Sequence, residues 1–550
     1  MAGQRLVQIV HLKALLFATC IAFCSESLIF TAPDTQHIRA GALFPNGTGV
    51  TRTDFPEGFL FGAITSAMKH EGAEYKGNKS ENIWDVFARK TEAHVLPGQC
   101  GNNYDLYQIS DFSPKSMHSS SIRTLFLSQI DHKLTASLGM NSYRLSISWS
   151  RIYPNGTGEV NEVAIAHYNE VIDDVLSQGL VPIVTLWTQD HPQILEALYG
   201  GALSEQFITD FATYADTCFA AFGDRIKYWI TFDELNDWAG LGYSTCQNPP
   251  GRCTSGIIGP AGMDYGECEE GDSGTEPYIA GHNLLLAHAE AVYLYRTKYQ
   301  VMQNGSIGYA LWFRWSEPLS DSYADVEAAQ RMTDFLVGWL LDPIFFGDYP
   351  ESMRKLVGDR LPKFTDEQIA KINGSLDFIG INVQTALYAF DANFYLTQNK
   401  SCYYLDSYAN LTGYRDGVPI GVGNHDYAVP WAIRKAVEYM NMRYRNFPIF
   451  VTQTGWGIEF NTSTDTLEDD ERVEYFEAHY TELLAAINEG ANVKGVYAWS
   501  LLDGFEFNLG LSIRAGIFYV DDDYKRYPRK SALWFKEMLN SSSSRGATSL

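Results

Sequence analysis

Residues Ile449–Gly457 read IFVTQTGWG. The run Ile449–Thr452 is apolar and β-branched, Gln453 follows it, and a glycine-rich turn closes the stretch. A run this short is not a helix, and its composition is that of a strand buried on both faces. Such strands belong to parallel sheets covered by helices. The strand delivers one polar side chain to its C-terminal end, and that side chain is an amide. An amide hydrogen-bonds, but it is a poor nucleophile and no base at neutral pH.

Seven further runs of the same kind lie outward from it: GFLFGAITSA from Gly58, NSYRLSISWSRI from Asn141, LVPIVTLWT from Leu180, IKYWITFDE from Ile226, GSIGYALWFRW from Gly305, LDFIGINVQT from Leu376 and VKGVYAWSLLDGFE from Val493. Helical patterns separate them, including 163–178, 276–299 and 469–489. Eight strand–helix units predict an α/β fold, a single closed (β/α)₈ barrel of the TIM type. An open doubly wound sheet fits less well, because no glycine-rich phosphate fingerprint follows the first strand. In a barrel of this type chemistry sits at the C-terminal strand ends. Those ends carry Lys69, Arg144, Thr188, Asp233, Glu234, Asn382, Gln384, Gln453, Trp499 and Glu506. Hydrogen-bonding groups mixed with aromatic faces suit a sugar or another small glycoside.

The chain has 550 residues, 45% of them hydrophobic, and a formal net charge of −25. That charge repels phosphate backbones and argues against a nucleic-acid partner. Residues 1–24 have a basic flank at Arg5 and Lys13 and an apolar stretch, Ala14–Cys24, too short to span a bilayer. They read as a secretory signal peptide, so no membrane partner is expected after its removal. The extracellular space, the vacuole and the endoplasmic reticulum all remain open as destinations. Nine Asn-x-Ser/Thr sequons agree with that route. Cys253 and Cys268 flank a glycine-rich loop and are expected to pair, which adds about 3 kcal/mol in the chain-entropy view. No Cys/His spacing matches a zinc site, and no cofactor is expected.

The segments FPEGFLFGAITSA, YRLSISWSRI, DRIKYWITFDE, LDFIGIN, VKGVYAWSLLD and RYPRKSALWFKEML resemble glycoside hydrolase family 1, the plant β-glucosidase and myrosinase group. The similarity runs over 55–539, after an extension at 25–54 and before a flexible tail at 540–550. It implies retaining hydrolysis by two glutamates, an acid/base on strand four and a nucleophile on strand seven. Here the strand-four motif reads TFDEL, so Glu234 matches the acid/base and Asp233 replaces the usual Asn. The strand-seven motif reads TQTG, so Gln453 stands at the nucleophile position. Myrosinases lose the acid/base instead and keep the nucleophile.

The sugar-binding positions differ too. Lys69 matches the strand-one Gln, Thr188 the strand-three His, and Gln384 the strand-six Tyr. Arg144, Asn382, Trp499 and Glu506 match, and Phe507 stands where many β-glucosidases have Trp. Three functions stay open: a catalytically impaired glycoside-binding protein, an active β-glycosidase of unusual specificity, and a different hydrolase resembling hydroxyisourate hydrolase. On a strand, Asp233 and Glu234 point to opposite faces. Lys69 is expected to offset the Asp233 charge. Without an anion at position 453, and with Arg144 favouring the ionised form, Glu234 is expected to titrate lower than the acid of an active relative, while burial pushes the other way. Finally, 109–129 interrupts a family helix, holds Pro114 and a serine cluster, and shows no helical stripe. It reads as a surface loop gating the pocket or as a translated intron outside the barrel.

Overall fold

A computed structural model describes residues 49–71, 76–94, 120–257, 268–392, 401–423, 426–458, 467–507, 513–521 and 525–541. The signal peptide expected at 1–24 and most of the extension expected at 25–54 lie outside the described residues. Eight parallel strands close a barrel: β1 (Leu60–Ile64), β2 (Ser142–Ser146), β3 (Val181–Trp187), β4 (Tyr228–Asp233), β5 (Ser306–Trp312), β6 (Phe378–Asn382), β7 (Ile449–Thr454) and β8 (Val493–Ala498). They follow one another around the barrel in chain order, and β1 meets β8 with Leu60 opposite Gly495. The expected architecture is therefore the observed one.

Helices cover the outside because their apolar stripes match the sheet. Glu162–Ser177 buries Ala164, Tyr168, Val171, Ile172 and Val175, the three- and four-residue spacing of one helix face. Inside, Leu60, Ile183, Ile230, Ala310, Phe378, Phe450 and Tyr497 form one buried cluster drawn from seven strands. This plug fills the barrel beneath the C-terminal ends and gives the site a rigid floor. Truncating a ring there, as in Phe450→Ala, is expected to cost about 3–5 kcal/mol.

Two strands depart from regular register near their C-terminal ends. On β4 the pairing with β5 shifts between Ile230 and Asp233, and on β7 the pairing with β6 shifts between Val451 and Gln453. Bulges re-aim side chains, and these two lie on the strands that carry Glu234 and Gln453.

One expectation is corrected here. The first part of the interrupting segment lies outside the described residues, but Ser120–Ser137 is a single helix. Its C-terminal half is anchored: Asp131 accepts from Arg526 at 2.8 and 3.0 Å, and His132 contacts Asp174 at 2.6 Å. Once a helix is nucleated, each added residue gains a hydrogen bond at little cost. The helix therefore extends back to Ser120 without an amphipathic stripe. Among the described residues no helix is long and apolar enough to cross a membrane.

Candidate active site

β4 ends at Asp233, and Glu234 turns into the left-handed region (φ 55°) to start the helix Leu235–Tyr243. That turn breaks the alternation of the strand. Asp233 and Glu234 do not point to opposite faces: one amide, Asn382 Nδ2, donates to Asp233 Oδ1 at 3.0 Å and to Glu234 Oε1 at 2.8 Å. Asn382 is wholly buried and holds the two carboxyls from β6 beneath the open cavity.

Arg144 also differs from expectation. Its Nη2 pairs with Asp233 Oδ2 at 2.7 Å, and its Nη1 donates to the Thr452 carbonyl at 3.0 Å. It serves Asp233, not Glu234. With no guanidinium on Glu234, burial dominates. Burial first, then the charges of Asp233 and Asp237, push Glu234 up from 4.5 to about 8, against the Asn382 hydrogen bond and Lys69. The expected partnership of Arg144 with Glu234 is thus overturned, and the residue that replaces the family Asn supplies part of the upward shift.

Lys69 does not face Asp233 either. Its Nζ lies 2.6 Å from Glu506 Oε2, 4.3 Å from the Phe507 ring centroid and 5.9 Å from that of Trp499. The ammonium is nested between a carboxylate and two aromatic faces, a favourable seat for a cation. Burial raises the Glu506 carboxyl above its ordinary range, and Lys69 opposes that shift.

These groups line a cavity of about 1240 Å³, which also receives Thr188, Gln384 and Gln453. Gln453 is opposite Asn382 in the β6–β7 register, and its amide makes no side-chain hydrogen bond among the described residues. Gln384 Oε1 accepts from Trp312 Nε1 at 3.2 Å, so this side chain is tied to β5. Every strand-end residue singled out above except Asn382 lines the cavity.

Several cavity residues escaped the sequence reading, among them Asp237 and Arg314. Asp237 follows Glu234 by one helical turn, a spacing that puts both on one face. Burial pushes it up to about 7, with Arg314 opposing. Arg314 ends the β5 run, the one strand end left unread. Its guanidinium lies 5.0 Å from the Trp312 ring centroid, its Nε is buried without a hydrogen bond, and burial lowers its pKa.

Residues 51–544 match the family model described as glycosyl hydrolase family 1. The chain belongs to glycosyl hydrolase family 1. Among its relatives in that family, β-glucosidase 12 of Oryza sativa subsp. japonica is 44% identical over 508 residues, covering 90% of this chain and 94% of the relative. β-Glucosidase 34 of the same rice is 42% identical over 504 residues, with 90% and 94% covered. A crystal structure of a rice β-glucosidase superposes with a TM-score of 0.81 at 40% identity, covering 90% of this chain and all of that one. A family 1 β-glucosidase from the fungus Humicola insolens, in complex with glucose, gives 0.78 at 36% identity, with 89% and 98% covered.

Proposed function

We propose that this family 1 chain binds glycosides but is strongly impaired in retaining hydrolysis. One observation carries the reading: at the strand-seven position where the resemblance implies a carboxylate nucleophile, an amide, Gln453, opens onto the cavity. Retaining hydrolysis needs two carboxyl groups, one to protonate the leaving oxygen and one to attack the anomeric carbon. Glu234 meets the first need. Burial and the Asp233 charge keep its proton near neutral pH, and its position at the cavity wall lets it donate to a glycosidic oxygen. Gln453 does not meet the second. An amide carries no negative charge to stabilise an oxocarbenium-like transition state, and it forms no glycosyl ester.

The ligand suited to this lining is a neutral sugar or glycoside. Trp499 and Trp456 offer aromatic faces, and Gln384, Gln453 and Glu234 offer hydrogen bonds. Lys69 already holds Glu506, so fewer acceptors are left for sugar hydroxyls. Exposed sequons at Asn155, Asn304 and Asn373, with the basic and apolar N-terminus, support passage through the secretory pathway.

A second reading, an active β-glycosidase of unusual specificity, draws on the same acid. Glu234 stays poised to donate a proton although no partner carboxylate repels it from position 453. Assays on aryl β-glucosides and β-mannosides, with calorimetric titration of the same ligands, separate the two. Saturable binding with turnover orders of magnitude below a two-glutamate relative supports the first reading. Robust turnover abolished by Glu234→Gln supports the second.

A further inference from the structure

Cys253 and Cys268 form a disulfide with Cα atoms 5.4 Å apart, as the sequence led us to expect. A third sulfur stands beside it. Cys246 carries a thiol, and the three sulfurs all lie within 4.8 Å of one another. Two of them are already bonded to each other, so the cluster is not a metal site as it stands. It is the arrangement that thiol–disulfide exchange requires: a thiol next to a disulfide, with solvent at hand.

We infer that Cys246 makes this cluster a thiol–disulfide exchange site. The Cys246 thiol loses its proton to solvent, and the thiolate attacks a disulfide sulfur. The new S–S bond forms as the old one breaks, and the departing sulfur takes up a proton. One thiol and one disulfide enter, and one thiol and one disulfide leave. No external oxidant is needed.

Burial selects the sulfur attacked. Cys253 is buried, whereas Cys246 and Cys268 are half-exposed. Attack on Cys268 would leave a thiolate on buried Cys253, where desolvation opposes charge. Attack on Cys253 releases Cys268 toward water. The second isomer is therefore Cys246–Cys253, closing a loop between positions seven apart in sequence.

The surroundings make the exchange reversible. Ser255 Oγ donates to the Cys268 carbonyl at 2.8 Å and accepts from the Cys268 N–H at 3.0 Å. The Thr254 N–H donates to Ser273 Oγ at 2.8 Å, and the Ser273 N–H donates to Thr254 Oγ1 at 2.9 Å. These bonds keep Cys268 beside its old partner after the disulfide has moved. The exchange also reaches the pocket, because Thr245 and Gln247, on either side of Cys246, both line the cavity.

The test is non-reducing peptide mapping after acid quench and alkylation of the full chain. Wild-type protein moved from pH 6 to pH 8 should gain the Cys246–Cys253 linkage together with alkylated Cys268. Its rate should rise roughly tenfold per pH unit below the thiol pKa, because the thiolate is the attacking species. Cys246→Ser should show only Cys253–Cys268. Cys246→Gly, suited to the positive φ of 51° at that position, is the control if the serine variant folds poorly. Cys268→Ser, treated with oxidised glutathione, should trap Cys246–Cys253. A wild-type map holding Cys253–Cys268 alone at every pH, or a Cys268→Ser protein in which Cys246 and Cys253 both stay alkylatable, overturns the inference.

Discussion

Lys69 Nζ and Glu506 Oε2 are 2.6 Å apart, joined across 437 residues of sequence at the cavity wall. Both are largely buried, so removing one partner leaves a desolvated charge behind. Lys69→Gln is expected to lower stability by about 3–5 kcal/mol, and the double variant Lys69→Gln/Glu506→Gln by less than the sum of its singles. Denaturant melts of the four proteins give the coupling. Additive losses would show that the pair does not interact.

Catalysis should respond to position 453 only in company. Wild-type kcat/KM on an aryl β-glucoside is expected to lie orders of magnitude below that of a two-glutamate relative. Loss of a nucleophile elsewhere has cost on the order of a millionfold in kcat. Gln453→Glu alone should recover little, because Lys69 still holds Glu506 and Gln384 is tied to Trp312. Adding Lys69→Gln, Thr188→His and Gln384→Tyr should recover more than the product of the single effects. Full recovery by the single revertant would sink this account.

The pH dependence of stability has a definite sign at Glu234. Its carboxyl is raised in the folded protein from 4.5 to about 8. The folded state thus binds this proton more tightly than the unfolded chain, so stability is lost as pH rises across that window. Glu234→Gln removes the slope while keeping an oxygen for Asn382. The variant should melt a few degrees higher than wild type at pH 8 (~2–5 °C) and gain nothing near pH 4.5. An equal gain at both pH values would point to packing instead of titration.

Asp233 is the charged neighbour with the largest part in that shift. Asp233→Asn, the residue usual in the family, should let Glu234 titrate lower, and Gln453→Glu should push it higher. Carboxyl resonances followed by NMR report both. Asp233→Asn also strips Arg144 of its carboxylate, so a loss of stability should accompany the shift. An unchanged Glu234 titration in Asp233→Asn would remove Asp233 from the explanation.

Far from the chemistry, Arg529 grips Asp503 with two hydrogen bonds, at 2.9 and 2.7 Å, both residues buried. Asp503 lies between Trp499 and Glu506, so this pair steadies the segment that presents both to the cavity. Arg529→Met is expected to cost about 3–5 kcal/mol and to weaken glycoside binding in parallel. A calorimetric titration that matches wild type would separate the clamp from the site.

The barrel was legible because each strand is a short apolar run ended by a polar group, and eight such runs fix closure. The wall of the cavity was legible for the same reason. The pairing of its charges was not. Periodicity says that Lys69, Arg144, Asp233 and Glu506 reach one end of the barrel, but not which cation meets which acid. That depends on side-chain reach between strands far apart in sequence. The left-handed turn at Glu234 was equally hidden, since a strand pattern assumes that alternation continues to its last residue. Arg314 was visible in the sequence but hidden by its run, GSIGYALWFRW, in which apolar and aromatic residues continue past the strand on both sides of it. The helix from Ser120 was missed because its support comes from Arg526 and Asp174, not from a stripe of its own.

β1 finds its second neighbour in β8, more than four hundred residues later. During synthesis at about 5–20 residues per second, the first strand waits roughly 20–90 s before that neighbour has been made. For that interval the growing sheet has a bare outer strand with unsatisfied amides, open to pairing with another nascent chain. The yield of correctly folded protein should therefore depend on what shields that edge at the ribosome, however stable the finished molecule is.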